Sequence, residues 1–262
     1  MAVIGIMDSG SGGLSVYREI RRSLPEARFI YYADNANCPY GEKSPEFITG
    51  RCRAISRFCI EGGADAMVIA CNTATAASIS TLRQEFSIPF VGMEPAVKPA
   101  ALGTRSGVIG VLATAGTLKA SKYLNTRDAY SDDVTVVEHI GKGFVELVEN
   151  GDLCSPHARE TVSASLTPLL EAGADTIVLG CTHYPFLLPI MQDIAGEDIQ
   201  FIDPAPAVAR QVCKILDLSG TGYSDSYPGT DLLTSGPEDS VRRIFNMLDC
   251  PGDRYSISSK AL

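Results

Sequence analysis

A chain of 262 residues has room for two domains of about 100–150 residues each. With 45% hydrophobic and 20% charged residues it reads as a folded globular protein and not as a disordered or fibrous one. A formal net charge of −9 and a pI near 4.9 argue against nucleic acid and anionic membranes as partners, since both require a basic face.

The first apolar run, Val3 to Met7, has no basic flank and stops at Asp8, unlike a secretion signal. No run approaches the ~18–20 apolar residues that span a bilayer, so a cytoplasmic protein is expected. Asp8-Ser9-Gly10-Ser11-Gly12-Gly13 then leads into Leu14, Tyr17 and Ile20 at helical spacing: strand, glycine-rich turn, helix. Phe29 to Tyr32 predicts a second strand, followed by a loop from Ala33 to Lys43 with a Cys38-Pro39-Tyr40-Gly41 turn. Ser44-Pro45-Glu46 opens a helix running to about Glu61, with proline near the first helical position. Met67 to Ala70 predicts a third strand, Asn72 to Phe86 a helix, and Phe90 to Gly92 a fourth strand.

The pattern then restarts. Val108 to Thr114 echoes Val3 to Ser9, and a helix is expected from about Leu118. Val134–Val137, Thr176–Gly180 and Phe201–Asp203 match the second, third and fourth strands in order. Glu61-Gly62-Gly63-Ala64-Asp65 through Cys71 recurs as Glu171-Ala172-Gly173-Ala174-Asp175 through Cys181, with six identities at one constant offset. Short apolar strands alternating with helices imply α/β units with parallel sheets. The expected fold is therefore two pseudo-symmetric doubly wound parallel-sheet domains with the active site between them. The division is 1–96 plus 209–262 for the first domain and 97–208 for the second. The tail, with a linker at 219–229, a strand at Asp231–Thr234 and a helix at Pro237–Leu248, is expected to return to the first domain.

Eight cysteines (Cys38, Cys52, Cys59, Cys71, Cys154, Cys181, Cys213, Cys250) form no Cys-x-x-Cys pair, and the spacing does not resemble a zinc site. In a reducing compartment most would be buried, inert thiols. Only Cys71 and Cys181 are singled out, by the repeat. Each ends an apolar strand where a helix is expected to start, and a helix N-terminus lowers a thiol's pKa. The free N–H groups there, with the hydroxyls of Thr73 and Thr182, would hold a carboxylate. Two thiols on opposite faces of one carbon are what a cofactor-free racemase needs, one to remove the α-proton and one to return it. Asp8 and His183 are placed to adjust the charge state of the cysteine in their own half. A binder of acidic amino acids that does no chemistry remains open on the same residues.

At these motifs the sequence resembles the glutamate racemase family, within the aspartate/glutamate racemase superfamily. The matching segments are Asp8 to Gly13, Tyr32-Ala33-Asp34 with Pro39-Tyr40-Gly41, Ala70-Cys71-Asn72-Thr73-Ala74, and Gly180-Cys181-Thr182-His183-Tyr184-Pro185. The resemblance implies Cys71 and Cys181 as proton donor/acceptors, assisted by Asp8 and His183. It implies Asp8, Ser9, Tyr40, Gly41, Asn72, Thr73, Thr182 and His183 as substrate-binding, with Thr114 a further contact. A family glutamate maps to Glu149, although Glu146 stands where the family's preceding run has proline, and His139 to Gly143 also departs from the pattern. The implied activity is cofactor-free, metal-free interconversion of L- and D-glutamate for peptidoglycan and cell shape, in a bacterial cytoplasm, by a homodimer. The runner-up substrate is aspartate or a related small diacid.

Overall fold

The computed structural model describes residues 1–216, 229–248 and 254–262. All of the expected linker at 219–229 except Gly229, and Cys250, lie outside the described residues. The first unit runs β1 (Val3–Asp8), α1 (Leu14–Ser23), β2 (Arg28–Ala33), α2 (Pro45–Glu61), β3 (Ala66–Ile69), α3 (Asn72–Glu85) and β4 (Phe90–Gly92). The second runs α4 (Val97–Gly103), β5 (Val108–Ala113), α5 (Ala115–Leu118), α6 (Ser121–Asp128), β6 (Thr135–Ile140), α7 (Phe144–Asn150), α8 (Pro156–Glu171), β7 (Thr176–Gly180), α9 (Leu188–Ala195) and β8 (Gln200–Ile202). The chain ends with α10 (Ala205–Ile215), β9 (Thr230–Thr234), α11 (Glu238–Asn246) and β10 (Tyr255–Ser259).

Among the described residues the strands form two all-parallel sheets, ordered β10-β9-β2-β1-β3-β4 and β6-β5-β7-β8. The order β2-β1-β3-β4 is repeated as β6-β5-β7-β8, so the sequence repeat is a repeat of topology. The tail extends the first sheet at its β2 edge: Phe29 to Ala33 pairs with Thr230 to Thr234, and Tyr255 to Ser259 pairs with β9. α10 buries Ala205, Val208, Ala209 and Val212, a helical stripe, and packs against α1.

The duplicated segment has a local cause. Gly63 and Gly173 hold φ of +91° and +84° just beyond α2 and α8. Each closes a Schellman turn: Gly63 N–H donates to Ile60 O and Ala64 N–H to Cys59 O, while Gly173 and Ala174 donate to Leu170 and Leu169. The aspartate two residues later ties down a neighbouring strand start. Asp65 accepts from Val3 N at 2.8 Å, and Asp175 accepts from Arg105 N at 2.7 Å and Ser106 N at 2.8 Å. The apolar strand that follows is fully buried in both halves.

Two expectations change. The helix expected from about Leu118 is instead two short ones, because α5 ends at Leu118 and α6 begins at Ser121. The strand expected at Val134–Val137 runs instead over Thr135–Ile140, and the tail adds an edge strand, β10, beyond the expected elements, although Tyr255 and Ile257 alternate there with Ser256 and Ser258. Ser44 does cap α2, accepting from Phe47 N at 3.3 Å, with Pro45 in the first turn. No helix among the described residues is long and apolar enough to cross a membrane.

Candidate active site between the two sheets

β1 and β3 are neighbours, yet the chain leaves β1 toward β2 on the other side, so a crevice opens at their carboxyl ends; β5 and β7 repeat this. Asp8 ends β1, Cys71 follows β3, Thr114 follows β5 and Cys181 follows β7. The two switch points face each other across one small cavity of about 20 Å³, roughly the space of a single water. Both thiols line it, as do Ser9, Tyr40, Gly41 and Asn72. Thr73, Thr114, Thr182 and His183 complete the set of expected residues on its wall. Asp8 and Glu149 stand directly behind the wall and act through hydrogen bonds.

The two thiols, only 7% and 8% exposed, sit in different surroundings. Cys71 is the N-cap of α3: its Sγ accepts from Ala74 N at 3.4 Å, and its S–H donates to Ser9 Oγ at 3.6 Å. The Ala74 N–H, and the Ser9 hydroxyl once it turns to donate to an ionised sulfur, favour the thiolate, but burial and then the Asp8 carboxylate push the Cys71 thiol well up. The lowered pKa expected from the helix terminus is therefore not realised at Cys71 in this buried site. Cys181 does not cap an α-helix at all, because Tyr184–Leu187 forms a 3-10 turn and α9 starts only at Leu188. Its Sγ lies instead 3.8 Å from His183 Nδ1.

His183 is wired to the back of the site. Its Nε2–H donates to Glu149 Oε1 at 2.8 Å. Glu149 is held in turn by Ser11 N at 2.6 Å, Ser11 Oγ at 3.0 Å and Asn35 Nδ2 at 2.9 Å. Burial pulls the His183 pKa down, but its hydrogen bonds to Cys181 and Glu149 outweigh that and hold it well above the ordinary value. Burial likewise pushes Glu149 up, and the bonds from His183 and Ser11 bring it below the usual carboxylate range. The pair is thus an imidazolium–carboxylate ion pair. Asp8, wholly buried, accepts from Ser9 N at 2.7 Å, Gly13 N at 2.6 Å and Thr182 Oγ1 at 3.4 Å. Burial still leaves its carboxyl above the ordinary range.

The glycine-rich turn has a steric reason. A Cβ on Gly12 would fall on the His183 ring, so this turn carries no side chain where it approaches the other domain. Glu149 reaches the site from α7, whose ends are set by Gly143 at φ +82° and Gly151 at φ +73°. Glu146, one turn earlier, is exposed and faces away. Thr73 Oγ1 lies 2.8 Å from Thr114 Oγ1, which is 3.0 Å from Thr117 Oγ1, a hydroxyl cluster joining the two domains. The Asn72 carboxamide is buried with neither its nitrogen nor its oxygen hydrogen-bonded, a donor and an acceptor open to a polar ligand. Ser11 and Asn35, the anchors of Glu149, were missed: in sequence they look like ordinary turn residues.

Residues 4–212 match the Asp/Glu/Hydantoin racemase family. The glutamate racemase of Pseudomonas putida is 50% identical over 242 residues, 92% of this chain and 87% of its own length. The crystal structure of Escherichia coli glutamate racemase in complex with L-glutamate and the activator UDP-MurNAc-ala superposes with a TM-score of 0.87 at 33% identity. It covers 99% of this chain and 98% of that one. A glutamate racemase isoform from Bacillus anthracis gives 0.85 at 32% identity, over 100% of this chain and 98% of that one. The fold and site define a member of the Asp/Glu/Hydantoin racemase family. Within it the chain belongs to the glutamate racemases, and it is an isomerase.

Proposed function

We propose that this racemase interconverts L- and D-glutamate by a two-base mechanism, with Cys71 and Cys181 as the acid/base pair. The observation that carries the reading is that two cysteines from the equivalent switch points of two repeated domains line one cavity. A thiolate on one face takes the α-proton, and the thiol opposite delivers its own proton to the other face of the planar carbanion. In the reverse direction the roles exchange. No cofactor is needed for the proton traffic, because the chain supplies both groups.

The unlike surroundings suggest unlike activation. Cys181 faces the His183 imidazolium, which Glu149 holds and whose positive charge would stabilise a negative sulfur. Cys71 relies on the Ala74 N–H, on Ser9 and on Asp8, a wholly buried carboxyl that burial raises above its ordinary range. Asn72, with the hydroxyls of Ser9, Thr73, Thr114 and Thr182 and the Tyr40-Gly41 turn, would bind the substrate's carboxylates and amino group. The cavity is far smaller than glutamate, so the two domains must part to admit it. Comparison with the glutamate racemases supports glutamate over aspartate. The assignment extends to a bacterial cytoplasmic homodimer supplying D-glutamate for peptidoglycan.

Cys71→Ser and Cys181→Ser test the geometry. Each should abolish racemisation. With a β-substituted glutamate that can lose its leaving group after one proton abstraction, each variant should still process one enantiomer, and the two variants should prefer opposite ones. Identical behaviour toward both enantiomers would sink the opposed-face arrangement.

A further inference from the structure

Cys38 stands outside the machinery above, yet it points into it. Its thiol, a Glu149 carboxylate oxygen and a His183 ring nitrogen all lie within 4.8 Å of one another. The three come from the loop after β2, from α7 and from the segment after β7, so no spacing in the sequence announces them. They surround the bare side of Gly10. A Cβ built there would press on Glu149 Oε1 and lie 3.0 Å from Cys38 Sγ and 3.2 Å from His183 Nε2. A sulfur, an oxygen and a nitrogen thus converge on the backbone of Gly10, too close for any side chain there.

We propose that Cys38, Glu149 and His183 form a binding site for a borderline-soft divalent cation of the zinc type, and that filling it stops turnover. Thiolate, imidazole and carboxylate are the zinc donor set, and they suit magnesium or calcium poorly. Bonds of about 2.0–2.3 Å in a tetrahedron place donors roughly 3.3–3.5 Å apart. The His183–Glu149 contact of 2.8 Å must therefore open by about half an ångström, and the sulfur, no farther than 4.8 Å, must close by at most about 1.3 Å.

Two carboxylates, Glu149 and Asp8, act on the Cys38 thiol, and a divalent cation would offset their charge once the His183 proton has left. On binding, the Cys38 thiol proton and the proton between His183 and Glu149 leave to solvent, and three coordinate bonds replace them. His183 could then no longer carry the positive charge that serves Cys181. The loss of turnover rests on the two-thiol reading; the binding itself does not.

The test uses the intact chain and zinc chloride alone, with two readouts. One is competition against a chromophoric zinc chelator, the other racemisation in both directions. The wild-type chain should bind one zinc and lose at least tenfold in rate, with recovery on adding EDTA. Cys38→Ser, and Cys38→Ala as a second variant, should keep the metal-free rate within about twofold. Each should need on the order of tenfold or more zinc for the same inhibition. Cys154→Ser, at an exposed free cysteine, should behave as wild type. With cobalt in place of zinc, a thiolate-to-metal charge-transfer band should appear and be absent from both Cys38 variants. No zinc bound by the wild-type chain would overturn the proposal. So would binding and inhibition of the Cys38 variants at wild-type zinc levels, which would place the metal on Cys71 and Cys181. A chain inactive before any zinc is added would fail the racemase reading, while the chelator competition would still decide the metal site.

Discussion

His183 touches both halves of the site: its Nδ1 faces Cys181, its Nε2 is fixed on Glu149, and its ring lies against Gly12 of the opposite domain. Its pKa in the folded chain is raised above the ordinary ~6.5. The stability it brings is therefore full below that value and is lost as pH rises through the raised one. The basic limb of the pH–rate profile should report the same loss of charge. Glu149→Gln removes the anion but keeps the shape, so that limb should move to lower pH by about 1 unit or more. Cys181→Ser should be inactive whatever the pH. An unmoved profile in Glu149→Gln would mean that Glu149 does not hold the imidazolium. The chemistry of His183 was legible from its place beside Cys181. The ion pair was not, because its second member sits on α7 more than thirty residues away, behind a segment that departs from the family pattern.

At the scale of elements, the repeated Glu-x-Gly-Ala-Asp segment sets a helix stop and a strand start in each half. Gly63→Ala or Gly173→Ala would put a Cβ on a residue with positive φ and should cost about 1 kcal/mol of stability each. Thermal denaturation would show this, and kcat should stay near wild type, since nothing within 4 Å of either position belongs to the site. Gly12→Ala should behave in the opposite way, with a large loss of rate from displacing the His183 ring. The strands and most helices of the repeat could be read because fully apolar runs and glycine stops are local signals. The edge strand β10 is harder to read: Tyr255 and Ile257 do alternate with serines, but two apolar positions in five residues are a weak signal until β9 is there to pair with. The helix expected at Cys181 failed for a local reason instead: Pro185 and Pro189 lack the N–H groups that a helix starting there would need.

At the scale of the molecule, the site belongs to neither domain alone, and the threonine cluster and the His183–Glu149–Ser11 chain join them. With about 20 Å³ of space between the thiols, substrate entry and product exit require the domains to separate. If that motion limits turnover, kcat should fall in proportion to solvent viscosity raised with sucrose; a kcat indifferent to viscosity would place the slow step in the chemistry. The duplication, visible in the sequence, implied two thiols facing one ligand. It did not reveal that the halves activate them differently, because Asp8 and His183 act through burial and through partners from distant parts of the chain. The most direct measurement is racemisation in deuterium oxide, followed from each pure enantiomer at low conversion. Two thiols on opposite faces predict that the product enantiomer carries deuterium at the α-carbon while the recovered substrate does not, in both directions. Deuterium in the recovered substrate, with product that keeps its original proton, would mean a single base and would contradict the two-thiol site.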